Sequence, residues 1–496
     1  MGRTRRDDRP PATRVRGISY RVLGIAVLIG ILLYIGISQV RERMLGSRVP
    51  DPPELGERQK VIADHLRGAF LVAREDPASG TAVGALCVAY HADMFYDQAE
   101  RCYRLAEELN PPDWRWTYYR ALIQNERGSG NAVAQTLRRV VAEAPDFSPA
   151  WWRLGEAEFK EGRYDAAEEA WRQALTLREP DRASAESVAH HAEVPLSVYA
   201  SFGLARVALV RNDPHMARDV LEPVVKSAPR FGSGFRLLAE AYQRLDLPAD
   251  ADKARYHANR LPPYAPYADP LVSALARESR NSTFLLRQAS EADLAVNAQW
   301  SEYLTRRALE FDPDNPDVLS KLGRVLRTLG RNEEALEFLR RYHEKVPGDF
   351  QGLAQIGSCL SDLGRYGEAE PFLRRALEGG DDALTHYNLG TLLARTDRLD
   401  EAVGEYERAL NGDASDVNAR GNLAVVLVRQ GKLERAAREL TRILDIDPEN
   451  AAAHTNLGLV LTEQGQLDRA AVQFREALRI DPNQQQASEA LKTLAR

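Results

Sequence analysis

Cysteine is scarce in this sequence: there are three in 496 residues, which excludes a fold held together by a framework of disulfide bonds. Lysine is also scarce, since the 66 basic residues comprise 8 lysines and 58 arginines. The net charge of -6 argues against a general nucleic-acid-binding protein. The chain is too long for one compact core, so it must contain several domains or a repeating architecture.

Catalytic motifs are also missing from the sequence. We find no GxxxxGK phosphate loop, no HExxH, no CxxC and no GxSxG nucleophile elbow. The acidic run DPDNPD at 312–317 lacks the glycine that a calcium loop needs, and we interpret it as a helix stop followed by the next N-cap. His190 and His191, with Glu193 nearby, are the one metal hypothesis, and an exposed polar loop is the favoured alternative. The sequence therefore predicts no enzyme, no metal and no cofactor.

One long apolar run stands near the amino end. Residues 22–40 contain no charge, and at about 1.5 Å per residue they would span about 28 Å, close to the bilayer core. The run is too long for a signal-peptide core and lacks a cleavage site. We therefore predict a basic cytoplasmic tail over 1–17 and an uncleaved transmembrane anchor over 18–40.

Basic residues on the two sides of this run predict its orientation. Seven precede the run and five follow within twenty residues, which favours a cytoplasmic amino end. The expected protein is a single-pass inner-membrane protein whose remaining chain lies in a periplasm. Residues 1–48 carry a net charge of +7, so the rest carries -13. This acidic remainder predicts a partner that is basic or neutral rather than acidic, and no nucleic acid.

A 34-residue period fills the rest of the chain. A leucine in the first helix of the repeat recurs every 34 residues, at Leu389, Leu423 and Leu457. An alanine in the second helix recurs at the same spacing, at Ala402, Ala436 and Ala470. Together with a proline near the end of each unit, this pattern resembles the tetratricopeptide-repeat (TPR) family. The resemblance implies an all-α fold, a right-handed α-solenoid of about eleven helix pairs. Neither helix of a pair can bury its apolar stripe alone, so neighbouring pairs complete the core.

The repeats divide the chain into two arms. We expect a linker and capping helix over 41–79, and a final capping helix over 485–496. The predicted arms cover 80–265, with an insertion at 182–197, and 282–484, with a proline-rich connector at 266–281. The repeats are expected to start at 80, 114, 148, 198, 232, 282, 316, 350, 383, 417 and 451. The connector is either a hinge or a packed segment, and its apolar face favours packing.

Two cysteines fall on the two helices of the first repeat, Cys87 at position 8 and Cys102 at position 23. Small apolar side chains are common at such positions, so we expect buried thiols. A disulfide between them in an oxidising compartment is the alternative. Cys359 is expected to be a third buried thiol.

Asparagine recurs at position 6 of three successive repeats. In the TPR family the first helices line the concave groove, and asparagine there can clasp the backbone of an extended peptide. The resemblance therefore implies a peptide-binding surface, whose predicted members are Asn388, Asn422, Asn456, Gln355, Lys321, Arg324, Tyr387, Arg395 and Arg429. The alternative is that these asparagines bond only within the array.

The expected function is a non-catalytic, membrane-anchored scaffold that binds partner proteins or extended peptides, for assembly of an envelope complex. One alternative is a cytoplasm-facing regulatory adaptor of an envelope biosynthetic enzyme. A second alternative, prompted by the asparagine series, is an accessory subunit of a glycosyltransferase.

Overall fold

The computed structural model of the chain describes residues 20–109, 113–177, 194–262, 267, 269–294 and 297–494. Side chains are described from Val27 onward, except that of Arg58. Throughout these ranges the regular structure is helical. The chain forms two compact units: one holds the chain through His91 plus Phe95–Arg120, and the other holds Ala92–Met94 and Ala121 onward.

The helices before residue 177 follow one another with short turns. Their bounds are α1 Tyr20–Gly46, a 3-10 turn at Glu57–Gln59, α2 Lys60–Glu75, α3 Gly80–Ala92, α4 Tyr96–Leu109, α5 Trp114–Glu126, α6 Gly130–Glu143, α7 Ser148–Lys160 and α8 Tyr164–Thr176.

The helices after residue 194 continue the pattern. The first group is α9 Leu196–Val210, α10 Pro214–Ser227, α11 Gly232–Arg244, α12 Pro248–Arg260, α13 Pro270–Glu278, α14 Ser282–Leu294, α15 Ala298–Phe311, α16 Pro316–Thr328 and α17 Asn332–Lys345. The second group is α18 Phe350–Asp362, α19 Tyr366–Leu377, α20 Ala383–Arg395, α21 Leu399–Gly412, α22 Val417–Arg429, α23 Leu433–Ile446, α24 Ala451–Glu463, α25 Leu467–Ile480 and α26 Gln485–Leu494. Ten predicted repeat starts coincide with the first residue of a helix, and the eleventh, 198, lies two residues inside α9.

Close packing within a helix pair depends on a small residue at position 8 facing a large one at position 24. A Cβ built on Gly458 would lie 2.5 Å from the ring of Phe474, and one on Gly390 would lie 3.0 Å from Tyr406. Since both rings are almost completely buried, the small residue sets the distance between the two helices. The small and large residues that recur every 34 positions therefore specify how the core of each helix pair packs.

Where the structure describes the turn inside a repeat, one residue of that turn lies in the left-handed region. Gly431 has φ of 72° there, and Asp397, one repeat earlier, has φ of 64°. Glycine adopts this conformation without steric cost, and aspartate is among the residues that tolerate it. The turn ends the first helix and sends the chain back along it. The DPDNPD run also behaves as predicted: α15 ends at Phe311, and Asn315 caps α16 by accepting a hydrogen bond from the Asp317 N–H.

Helix α1 occupies the region of the predicted membrane anchor. Its described apolar side chains are exposed, with Leu32 at 60% and Tyr34 at 75%. Among the described residues, no helix is both long enough and apolar enough to cross a membrane. The structure thus does not support the transmembrane part of the predicted fold. The predicted span starts at residue 18, before the described residues begin.

The first repeat corrects the prediction of buried thiols. Cys87 on α3 and Cys102 on α4 form a disulfide, with their Cα atoms 5.2 Å apart. Positions 8 and 23 face each other across the helix pair, and the small residues there bring the two backbones within reach of a disulfide. Cys359 is a free, fully buried thiol, as predicted.

Within the second unit, residues far apart in sequence come into contact. Lys253 Nζ on α12 lies 3.0 Å from Glu449 Oε1, in the turn between α23 and α24. The connector contains α13, whose Leu275 and Ala276 are buried, preceded by Asp269, which forms an ion pair with Arg153 on α7. Helix α13 therefore packs into the unit rather than spanning a gap.

Candidate functional site

The first helices α14, α16, α18 and α20 stand side by side and line a cavity of about 730 Å³. Positions 6 and 9 of successive repeats fall on the same helix face, which brings their side chains together. Four of the nine predicted site residues line this cavity: Lys321, Arg324, Gln355 and Asn388.

Side-chain caps fix where these helices begin. Asp349 accepts hydrogen bonds from the N–H groups of Gln351 and Gly352 at the start of α18, and Asp382 accepts one from Thr385 N–H at the start of α20. Such caps satisfy the free amides of the first turn and define the helix register. The position-6 side chains therefore repeat at a constant place in each helix.

Four cations line the cavity, and they differ in their surroundings. Arg287 forms an ion pair with Glu126, and Arg327 forms one with Asp362. Lys321 is buried, and its Nζ donates to Asp293 Oδ2 at 2.6 Å and to Ser290 Oγ at 3.1 Å. Its charge is therefore neutralised by the preceding repeat. Arg324 is exposed and forms no ion pair or hydrogen bond through its side chain with any described residue. Arg324 is therefore the cation in the cavity that is available to a ligand.

Two of the amides that line the cavity come from position 6 of their repeats. Asn388 Nδ2 donates to Ser358 Oγ at 2.8 Å, one repeat earlier. Gln355 has a buried Oε1 that finds no hydrogen-bond partner among the described residues. A buried carbonyl oxygen without a partner is energetically costly, so this acceptor favours a donor supplied by a ligand.

The later asparagines lie outside this cavity. Asn422 Nδ2 donates to the Tyr387 hydroxyl at 3.2 Å, whereas the Asn456 side chain has no such bond within the described ranges. Two of the three asparagines thus bond to the preceding repeat, as the alternative interpretation expects. Each still keeps its Oδ1 as an acceptor. Whether they also bind a ligand stays a prediction.

The remaining predicted arginines lie further along the array. Arg429 donates to the Ala394 carbonyl and to Asp397 Oδ1, both at 2.8 Å. This bond to the end of the preceding first helix gives Arg429 a role within the array. Arg395 is exposed and forms neither an ion pair nor a hydrogen bond through its side chain within the described part of the chain.

Hydroxyl groups are one part of the cavity that the sequence analysis missed. Ser290, Ser320, Ser358 and Thr385 all line it. The spacing of Ser290 and Ser358, both at position 9, could have revealed them. Tyr342 also lines the cavity; its burial and its hydrogen bond to Asp349 raise the pKa of its hydroxyl to about 12. Every one of these groups is neutral at physiological pH.

Metal ligands and reactive thiols are not features of the described structure. No group of three His, Cys, Asp or Glu side chains in the described ranges could hold a metal ion. The predicted pair His190 and His191 lies outside the described residues. Burial raises the pKa of the Cys359 thiol to about 11, so this thiol stays protonated and unreactive at neutral pH.

Family models for the tetratricopeptide repeat match four parts of the chain. The matched residues are 356–419 together with 422–484, 148–181, 304–337 and 198–223. They fall on the helix pairs described above, in both predicted arms. No curated protein matches the chain.

Many solved structures match it, at low identity. YrrB, a TPR protein with an unusual peptide-binding site, is 23% identical; the match covers 38% of this chain and 97% of YrrB, with a TM-score of 0.33. PilF of Pseudomonas aeruginosa is 19% identical over 43% of this chain and 97% of its own, with a TM-score of 0.38. The APC/C hetero-tetramer Cut9–Hcn1 matches at 12% identity over 89% and 98%, with a TM-score of 0.40. On its repeat period, its helix pairs and these family models, the chain is a tetratricopeptide-repeat protein.

Proposed function

We propose that this protein is a non-catalytic scaffold that binds an extended segment of a partner protein along the first helices of its carboxy-terminal arm. The observation that carries the proposal is the cavity formed by α14, α16, α18 and α20. In that cavity Gln355 presents a buried acceptor without a partner, and Arg324 presents a donor without a partner among the described residues. A ligand that satisfies both groups recovers the hydrogen bonds that they lack.

The chemistry of the cavity suits recognition of a main chain. Amides and hydroxyls can pair with peptide N–H and C=O groups whatever side chains the peptide carries. The net charge of the repeats predicted a basic or neutral partner. Locally, Arg324 and Asp317 both lie on α16 and line the cavity, and neither side chain forms an ion pair with a described residue. These two opposite charges favour neither a basic nor an acidic ligand. We therefore propose a segment that is neutral where it meets α16.

We further propose that helix α1 holds the scaffold at a membrane, with the repeats outside the cytoplasm and serving the assembly of an envelope complex. The uncharged run over 22–40 and the exposed apolar side chains of α1 support anchoring. The disulfide between Cys87 and Cys102 supports an oxidising compartment. This disulfide also disfavours the cytoplasm-facing adaptor.

The groove is tested by chemical crosslinking in native membranes followed by mass spectrometry. In the variant Asn388→Ala, Asn422→Ala, Asn456→Ala, we expect the yield of crosslinked partner to fall about tenfold, because up to three hydrogen bonds of about 0.5–1.5 kcal/mol each are lost. The matched control Asn411→Ala, Asn483→Ala changes two exposed asparagines outside the first helices and should keep the yield of the unaltered chain. Equal yields from both variants would show that the asparagines bind no partner.

The anchor has a separate test. After alkaline carbonate extraction, the full chain should stay with the membrane pellet, and a variant lacking residues 18–40 should appear in the supernatant. A reporter that is active only outside the cytoplasm, fused after residue 496, should be active. Release of the full chain by carbonate would refute the anchor, and an inactive reporter would refute the orientation.

A further inference from the structure

The amino-terminal arm contains a second cavity that no motif in the sequence indicated. It has a volume of about 470 Å³ and lies among residues of α5, α6, α7, α9 and α11. Four aromatic side chains form much of its wall: Trp152, Tyr199, Phe202 and Phe231. Volume and lining are those of protein sites that bind apolar groups. Aromatic residues at these positions are also expected in the core of the repeats. Their apolar character alone therefore could not indicate a cavity from the sequence.

The polar groups at this cavity leave one charge unneutralised. Arg206 donates to Glu156 at 2.7 Å and lies over the ring of Phe159, with its guanidinium carbon 4.0 Å from the ring centre. Lys160, by contrast, is exposed at the cavity and has no hydrogen bond or ion pair through its side chain in the described part of the chain. An anionic group of a ligand would therefore find its partner in Lys160.

A segment of the chain itself shows which chemistry this face binds. The Tyr267 ring lies 5.4 Å from that of Trp152 and 5.8 Å from that of Tyr199, centre to centre. Two residues later, Asp269 is buried and accepts hydrogen bonds from Arg153 at 2.8 and 2.9 Å. An aromatic residue followed two positions later by an acidic residue thus occupies the face beside the cavity. Trp152 and Tyr199 form part of both surfaces.

We propose that this cavity is a binding site for a partner protein, and that it takes a bulky aromatic side chain of an extended segment, with an acidic residue two positions away contacting Lys160. The aromatic side chains of the cavity bury the aromatic ring of the ligand. The charge of Lys160, which no described residue neutralises, favours a ligand with an acidic residue. The ligand has the same chemistry as Tyr267 and Asp269. It binds further along the first-helix face, beside the place that those two residues occupy. This site is independent of the carboxy-terminal groove.

The experiment measures binding of three fluorescein-labelled peptides to the full chain by fluorescence anisotropy. The parent peptide has the sequence Gly-Ser-Tyr-Ala-Asp-Gly-Ser; in the second, alanine replaces tyrosine, and in the third, asparagine replaces aspartate. We expect Lys160→Glu to lower the affinity for the parent peptide about fivefold and to leave the affinity for the asparagine peptide unchanged. The control Lys226→Glu makes the same charge change at an exposed position on α10 and should change neither.

A second variant tests the cavity itself. Phe202→Ala should lower the affinity for the parent peptide about tenfold and leave the affinity for the alanine peptide unchanged. Circular dichroism checks that the variant is folded. The triple asparagine variant of the carboxy-terminal groove should bind all three peptides as the unaltered chain does, so failure of one site is distinguishable from failure of the other.

Several outcomes would overturn the proposal. They are absence of measurable binding of the parent peptide, equal affinity for the tyrosine and alanine peptides, and equal effects of Lys160→Glu and Lys226→Glu. Dodecanoate is a further probe, since it joins an apolar chain to a carboxylate. If dodecanoate binds in a way that Phe202→Ala abolishes while the parent peptide does not bind, the occupant is an acyl chain and the proposal is wrong.

Discussion

Trp171 shows how much of this fold depends on a single side chain. A Cβ built on Gly155 would lie 2.4 Å from its Nε1, and one on Gly203, in the next repeat, would lie 2.4 Å from its Cδ2. Trp171 is fully buried, so it has no room to move away. The two glycines are therefore required by the volume of the indole ring, on two successive first helices.

We predict that Gly155→Ala lowers the free energy of unfolding by about 1–3 kcal/mol, since overpacking a closed core forces side chains off their preferred rotamers. Gly404 is the matched control, because it lies inside α21 with no neighbour within 4 Å of the added Cβ. Gly404→Ala should stabilise by about 0.5–1 kcal/mol through helix propensity. Denaturant unfolding of both variants measures the difference, and a stabilising Gly155→Ala would contradict the role of Trp171.

At the scale of single residues, the sequence predicted which side chains share a helix face better than it predicted which side chains contact one another. The period placed Lys321, Arg324, Gln355 and Asn388 on one helix face, and they line one cavity. It could not show that Lys321 is neutralised by Asp293 or that Arg429 bonds to the Ala394 carbonyl. Such pairings depend on side-chain lengths and on the offset between neighbouring repeats, and neither is visible in a period.

At the scale of elements, the helix pair is the unit that the sequence specifies. The small residue at position 8, the large residue at position 24 and the left-handed turn residue together determine where each helix begins and ends. The predicted repeat starts consequently agree with the structure to within two residues. The disulfide in the first pair was the alternative and not the favoured prediction, because at positions 8 and 23 a cysteine pair and two small buried side chains satisfy the same packing.

We predict that reduction of the Cys87–Cys102 bond destabilises the first unit by about 3 kcal/mol, the chain-entropy value for a loop of 15 residues. Denaturant unfolding with and without a phosphine reductant measures this. The variant Cys87→Ala, Cys102→Ala should show no response to the reductant. Thiol titration of the denatured chain should find one thiol before reduction and three after; three before reduction would contradict the disulfide.

At the scale of the whole molecule, contacts across long stretches of sequence are the part that no repeat pattern predicts. Lys253 and Glu449 are 196 positions apart, and Arg153 and Asp269 are 116 apart. Both pairs lie inside the second unit. A single sequence carries no periodic signal for them, because they depend on how small rotations between repeats accumulate along the array.

A zero-length carbodiimide crosslinker joins amines only to carboxylates in direct contact, and we predict that it links Lys253 to Glu449. Lys345 and Asp314, also 3.0 Å apart, provide a positive control between neighbouring repeats. Lys253→Arg keeps the charge but cannot form the amide, so the crosslinked peptide should disappear from the mass spectrum. Detection of the Lys345 crosslink without the Lys253 crosslink would contradict the long-range contact. Since an exposed ion pair contributes only about 0–1 kcal/mol, stability is not the informative measurement here.

The state of the three cysteines has a practical consequence for measuring motion in this protein. Two are consumed in the disulfide, and Cys359 is fully buried with a raised pKa. The native chain therefore offers no reactive thiol to maleimide reagents. A pair of cysteines introduced on the surface would be the only positions to accept a spin label or a fluorophore. Distances between the repeats, with and without a bound peptide, can thus be measured without first removing any native residue.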